Sequence, residues 1–296
     1  MQIPVKSILL LLRPYQWLKN LFVFSPLFFC GQLAQWNSLY LAAIVFIAYS
    51  LMASSIYCFN DIRDIEADRV HPEKCSRPLA SGTVSVTTAY FMMLALFFLA
   101  IAVMYFFLGT AKWKVIGITG IYYLLNIAYC IKLKHIAIVD IFIISTGFVL
   151  RVFAGGCAAG IYISHWIILM TFLLALFLTF AKRRDDVVIY AKTDIKVRLN
   201  INRYSLEFIN QAISIIASVT IVCYLMYTVS AEVIAYFQTS YLYVTSIFVI
   251  AGIIRYMQLT IVDVKSGSPT KVLLKDKFIQ LCVIAWIITF FVIIYF

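Results

Sequence analysis

The sequence predicts an all-α integral membrane protein, a single bundle of about nine transmembrane helices, on three observations. Of its 296 residues, 64% are hydrophobic and only 12% charged, with a mean hydropathy of +0.98. Soluble domains average nearer 45–50% apolar and ~25% charged. Apolar windows of the ~20 residues needed to cross a bilayer recur along the whole chain. Basic residues fall in every second connection between those windows, as the positive-inside rule requires.

Taken in order, the windows read as spans at about 13–31, 39–59, 86–108, 113–131, 136–157, 163–181, 207–230, 241–259 and 278–296. Arg13, Gln16, Lys19 and Asn20 make the start of the first amphipathic, like a helix entering from the interface. Placing the N-terminus inside puts Lys6, Arg13 and Lys19 there, with Arg63, Arg69, Lys74 and Arg77 in the second-to-third connection. The later inside connections hold Lys132 and Lys134, then seven basic residues from Lys182 to Arg203, then Arg255 and the four lysines from Lys265 to Lys277. Only Lys112 and Lys114 fall outside, and Arg151 lies within a span, so the C-terminus is expected outside. Trp17, Tyr105, Trp113 and Trp166, near span ends, read as interfacial belt residues. The run Gly155 to Gly160 suits close helix packing or a tight turn. Seven cysteines scattered singly argue against disulfides or a zinc site, and no cleavable leader is evident. Without repeats or a linker, residues 1–296 read as one domain.

The stretch Asn60-Asp61-Ile62-Arg63-Asp64-Ile65-Glu66-Ala67-Asp68 directly follows an apolar run, so a helix continuing through it places Asp61, Asp64 and Asp68 on one face. Three such carboxylates repel unless a cation sits among them. With Asn60 they form an oxygen donor set suited to Mg²⁺ shared with substrate phosphates. The alternative is a solvated loop neutralised by Arg63, Arg69 and Lys74. Downstream, Lys74 and Arg77 supply phosphate donors, Pro72, Pro78 and Gly82 hold the loop's shape, and His71 reads as structural. Tyr122, Asn126, Tyr129 and Lys132 share a face of the fourth span, as a phosphate contact at Lys132 or as interhelical glue. In the fifth span Asp140 and Arg151 share a face about three turns apart, too far to pair, and each needs another partner. Glu232 and the 265–277 connection read as solvated charge.

These residues resemble the UbiA-type intramembrane prenyltransferase superfamily, whose first aspartate-rich motif N-D-x-x-D-x-x-x-D is followed here by Arg77-Pro78-Leu79-Ala80-Ser81-Gly82. The stretch from Arg13 to Asn20, the loop from His71 to Pro78, and Tyr129-x-x-Lys132 are most similar to its decaprenyl-phosphate phosphoribosyltransferase branch. The resemblance runs from Arg13 to about Tyr204; the last three spans match only in apolar character. Other members imply an isoprenyl diphosphate donor, an aromatic acceptor and a second aspartate-rich motif. Here the corresponding stretch reads Ala181-Lys182-Arg183-Arg184-Asp185-Asp186-Val187, followed by Asp194, without a clean D-x-x-x-D. It is basic and attracts phosphate more readily than it chelates a metal.

The resemblance therefore implies Mg²⁺-dependent transfer of 5-phosphoribose from phosphoribosyl pyrophosphate to a polyprenyl (decaprenyl-type) phosphate. Pyrophosphate is released, and the product serves cell-envelope polysaccharide synthesis. Catalysis and metal binding are expected at Asp61, Asp64 and Asp68, with Asn60 as a further metal ligand. Substrate contacts are expected from Lys19, Asn60, Lys74, Arg77, Tyr129, Lys132, Asp140, Lys182, Arg183, Arg184 and Tyr204. The alternatives are an aromatic prenyltransferase of quinone or haem biosynthesis, and a transporter or scaffold without chemistry. Charges clustered at one membrane face weigh against the last. The bilayer and the two substrates are the expected partners; nucleic acid is not, and a homo-oligomer is compatible. The expected location is the bacterial inner (plasma) membrane, with catalytic loops facing the cytoplasm.

Overall fold

Helices form where the apolar windows predict them, in a computed structural model that describes residues 5–70, 74–193, 200–264 and 266–295. Among these residues eight helices are long and apolar enough to cross a membrane. Contacts divide the chain into two units, residues 1–163 and 164–296.

The first unit comprises α1 (Val5–Leu12), a 3₁₀ segment (Pro14–Phe24), α2 (Ser25–Phe29), α3 (Trp36–Arg63), α4 (Ile65–Arg69), α5 (Val86–Phe107), α6 (Lys112–Ile131) and α7 (Val139–Ala159). Helix α3 is central, packing on α5, α6, α7 and the 3₁₀ segment. Its buried face is rich in small residues, including Ala42, Ala48, Ala53, Ser50, Ser54 and Ser55. Lipid tails are as apolar as a protein core, so close backbone approach, not water exclusion, gains the packing energy. Ser85 starts α5 as an N-cap, accepting from the Thr88 amide at 3.1 Å.

The first expected span is not an α-helix. Its 11-residue 3₁₀ stretch nevertheless follows α3 in the antiparallel sense: Arg13 meets Asp61, Trp17 donates to Ser54 at 3.0 Å, Asn20 to Ser50 at 3.1 Å, and Phe24 packs on Phe46. At ~2.0 Å per residue the stretch covers about 22 Å, the same advance that α3 makes from residue 46 to 61 at 1.5 Å each. Among the described residues eight spans are thus shown against the nine expected, and in place of the first expected span the chain runs as this 3₁₀ stretch along α3. Trp17 accordingly serves helix packing, whereas Trp113 and Tyr105, with Lys112 over both rings, keep a belt arrangement. Both readings of the glycine run hold. A Cβ on Gly155 would stand 2.0 Å from the Val23 carbonyl oxygen, so only glycine lets the 3₁₀ segment lie on α7. Gly160, at φ +69°, ends α7 in the left-handed region.

The second unit comprises α8 (His165–Thr193), α9 (Leu206–Val229), α10 (Ala231–Phe237), α11 (Ser246–Ile261), α12 (Pro269–Lys275) and α13 (Lys277–Tyr295). Helix α9 packs on α8 and α11, and α11 on α13. Trp286 donates to the Tyr224 hydroxyl at 2.6 Å, and that hydroxyl lies 2.7 Å from the Thr245 hydroxyl. Helix α8 continues twelve residues past the expected end of its span, so the stretch expected as a basic loop is helical through Thr193. Asp194, Lys196 and Arg198 lie outside the described residues, as do His71 and Pro72.

Candidate active site

Helix α3 ends at Arg63, but its hydrogen-bond ladder does not. The Asp64 amide donates to the Asn60 carbonyl at 3.0 Å and the Asp68 amide to the Asp64 carbonyl at 2.8 Å. The one loosened residue is Asp64, at φ −100°, ψ 6°. The carboxylates of Asp61 and Asp68 consequently stay on one side and share a guanidinium, while Asp64 turns to another partner.

Asp61 is 2% exposed and accepts hydrogen bonds from the guanidinium groups of Arg13 and, at 3.2 Å, Arg77. Arg77 also donates to Asp68, itself 3% exposed, at 2.5 Å. Asp64 accepts from Lys134 at 2.5 Å and from the Asn60 amide at 3.1 Å. Three carboxylates thus face three cations, and burying them unpaired would cost several kcal/mol each. Of the residues the sequence suggests as neutralising, Arg63 is exposed, Arg69 pairs with Glu66 at the surface, and Lys74 sits half-buried in a 3₁₀ turn, Lys74–Ser76. Arg77 is held by the turn behind it. The Ser81 amide donates to its carbonyl, Val84 donates to Pro78, and Gly82 takes φ +75°.

Arg13 and Lys134 are the site residues that sequence reasoning did not select. Arg13 has a left-handed backbone, φ 52°, which ends α1 and turns its side chain back over the Tyr57 ring, 5.1 Å from the centroid. Only its place in the stretch from Arg13 to Asn20 could have marked it. Lys134, and not Lys132, reaches the carboxylate of Asp64. Helix α6 ends at Ile131, Lys132 leaves helical geometry at φ −142° and is exposed, and a 3₁₀ turn, Leu133–His135, carries Lys134 to Asp64. The helical register that joined Lys132 to Tyr129 ends one residue too soon.

The remaining polar groups of this unit sort by depth. Asp140 is fully buried in the first turn of α7, where the helix dipole favours a negative charge, and Lys19 and Tyr129 are half-buried. Arg151 finds neutral partners: it donates to the Asn20 amide oxygen, the Gly147 carbonyl and the Tyr122 hydroxyl, each at 2.8 Å, and stacks over the Tyr122 and Phe148 rings. This network joins the 3₁₀ segment to α6 and α7. It makes Tyr122 part of the interhelical glue.

In the second unit the expected phosphate donors are enclosed by protein. Arg183 is fully buried and pairs with Asp186 at 3.0 Å. Arg184, 7% exposed, donates to the Asn210 side chain at 2.7 Å and to the Thr260 and Ile261 carbonyls at 2.6 and 3.3 Å. It thereby caps the end of α11, whose last carbonyls lack helical partners. Asp185 accepts from the Ser266 hydroxyl at 3.0 Å, anchoring the turn after α11. Lys182 is half-buried, and Tyr204 is buried and stacked on Phe208. Arg183 and Arg184 thus lie within α8, which continues through them, and pair with protein groups.

Asn60 and the three aspartates offer hard oxygen donors of the kind Mg²⁺ takes. Among the described residues no three His, Cys, Asp or Glu side chains form a cage that would hold a metal by themselves. Mg²⁺ usually takes one or two carboxylates and completes its shell with waters and substrate phosphates.

Residues 21–280 match the UbiA prenyltransferase family. The chain is 34% identical to the decaprenyl-phosphate phosphoribosyltransferase of Mycolicibacterium smegmatis over 305 residues, covering 99% of this chain and 93% of that protein. It is also 34% identical to the enzyme of that name from Corynebacterium glutamicum, covering 93% and 83% of the two chains. In fold it is similar to a UbiA homologue of Archaeoglobus fulgidus solved with GPP and Mg²⁺ bound, at a TM-score of 0.73 and 19% identity, covering 98% of this chain and all of that one.

Proposed function

Because the chain belongs to the UbiA prenyltransferase family and is an integral, multi-pass membrane protein, we propose that it transfers 5-phosphoribose from phosphoribosyl pyrophosphate to a polyprenyl phosphate. The observation that carries this reading is the identity of 34% to decaprenyl-phosphate phosphoribosyltransferases, sustained over 93–99% of the chain. The geometry agrees with it. A diphosphate, a sugar 5-phosphate and a lipid phosphate must be held together, and Arg13, Arg77 and Lys134 stand at one helix end beside Asp61, Asp64 and Asp68. In this proposal residues 1–296 act as one UbiA-like domain, since the family match spans both units.

Asn60, Asp61, Asp64 and Asp68 would hold Mg²⁺, which when bound neutralises the donor's diphosphate and makes it a better leaving group. Arg77 and Arg13 bind diphosphate oxygens, Arg through its planar fork, and Lys134 acts as a point charge. A lipid phosphate oxygen forms the new bond to the anomeric carbon as the bond to diphosphate breaks and pyrophosphate leaves. That nucleophile is already ionised at pH 7, so no strong general base is needed. The site faces the cytoplasm of a bacterial inner membrane, where phosphoribosyl pyrophosphate is made, and the product serves cell-envelope polysaccharide synthesis.

Membranes carrying the protein, incubated with labelled phosphoribosyl pyrophosphate, Mg²⁺ and polyprenyl phosphate, should yield a labelled organic-extractable lipid. Absence of transfer, together with activity on a prenyl diphosphate plus 4-hydroxybenzoate, would replace this reading with that of an aromatic prenyltransferase.

A further inference from the structure

The three cations of the site bind the wrong partners for a site awaiting a metal. Arg13 and Arg77 both donate to one oxygen of Asp61, Arg77 spans to Asp68, and Lys134 holds Asp64 together with Asn60. Asp61 and Asp68 are buried, and the side chains of Arg13 and Lys134 are each 13% exposed. The three carboxylates and three cations therefore sum to zero charge in a place only partly open to water, the Asp64 and Arg77 side chains being 27% and 24% exposed. Adding a bare divalent ion would leave two uncompensated positive charges there and would displace donors already bound to the carboxylate oxygens. Adding the ion with a diphosphate brings anions that can accept from the same guanidinium and ammonium groups.

From this we propose that Arg13, Arg77 and Lys134 occupy the aspartates as placeholders, so that the site accepts Mg²⁺ only together with the diphosphate donor. On binding, the three cations move from carboxylate to phosphate and the carboxylates are released to the metal. The exchange replaces each carboxylate acceptor with a phosphate acceptor, and no cation is left buried without one. It makes the three residues positioning groups for the aspartates before they are phosphate ligands. The inference rests on the assignment of Mg²⁺ and a diphosphate donor to this site, but not on which sugar or lipid is handled.

The test is binding of Mn²⁺ alone, in place of Mg²⁺, to the full chain in lipid nanodiscs, read from the loss of the free Mn²⁺ resonance. Wild type should bind it weakly. Arg13→Met, Arg77→Met and Lys134→Met should each bind it about tenfold or more tightly, the worth of one charge-assisted hydrogen bond. Adding Asp61→Asn to Arg13→Met should abolish the gain. Wild-type affinity as high as that of the variants, or unchanged affinity in all three, overturns the proposal. Should Arg13→Met fail to fold, Lys134→Met reads the same effect at Asp64. If the variants tighten metal binding while the wild type shows no phosphoribosyl transfer, the substrate assignment fails and the exchange stands; wild-type transfer without tightening in the variants has the opposite meaning.

Discussion

Lys132 and Lys134 differ by one 3₁₀ turn, and only the second reaches a carboxylate. Lys134→Met is expected to lower kcat/KM by about 10- to 100-fold, the value of a hydrogen bond to a charged group, and Lys132→Met by a clearly smaller factor, in the labelled-lipid assay. Arg184→Met should behave differently again. It uncaps α11, so it should lower thermal stability in detergent by several degrees while leaving the KM for phosphoribosyl pyrophosphate unchanged. The placement of Asp61 and Asp68 on one side was legible because it is local: residues seven apart share a helix face, whereas Asp64, where the helix loosens, turns to another partner. The partners of these aspartates were not, since Arg13 and Lys134 lie 48 and 70 residues away in sequence, and nothing local announces such pairings. The helical state of the stretch around Arg183 and Arg184 escaped for a related reason: nothing local announces that α8 continues or that Asp186 and the end of α11 lie within reach of these side chains.

Among the elements, α-helical spans were legible to within a few residues because length and apolarity alone define them, except at the end of α8, where a run of charge breaks the apolar signal. The 3₁₀ segment was not, since its apolar content matches that of an α-helix. Gly155 is the element's most exacting position. Gly155→Ala should cost about 1–3 kcal/mol through overpacking against Val23, measurable as a lowered unfolding temperature. Gly117→Ala, in α6 where an added Cβ meets nothing within 4 Å, should be neutral or slightly stabilising. The junction of α12 and α13 supplies a pH-dependent case. Asp276 accepts from the Arg255 guanidinium at 2.8 Å and from the Ile279 amide at 2.9 Å, and the Arg255 hydrogen bond holds its carboxyl below the usual value of 3.8. A lowered folded-state pKa stabilises the fold above the unfolded value and ceases to do so as pH falls through the folded one. Asp276→Asn keeps the helix cap and removes the charge, so its melting temperature should lie below wild type at pH 7 and converge with it below about pH 4.

For the whole molecule, composition and the alternation of charge supply topology, and the 3₁₀ segment decides its parity. If residues 14–29 cross the bilayer as they follow α3, the termini lie on opposite sides, N-terminus inside. A C-terminal alkaline phosphatase fusion should then be active in intact cells and a C-terminal fluorescent-protein fusion dark; the reverse would mean that the segment re-enters without crossing. The stretched winding also has a mechanical meaning. Rewound as an α-helix, the eleven residues of Pro14–Phe24 would shorten by about 5–6 Å, and with Val23 fixed against Gly155 all of that contraction would appear at Arg13. The segment is thus a ruler clamped at its deep end, and its pitch determines whether the guanidinium stands at Asp61 or one helical turn away.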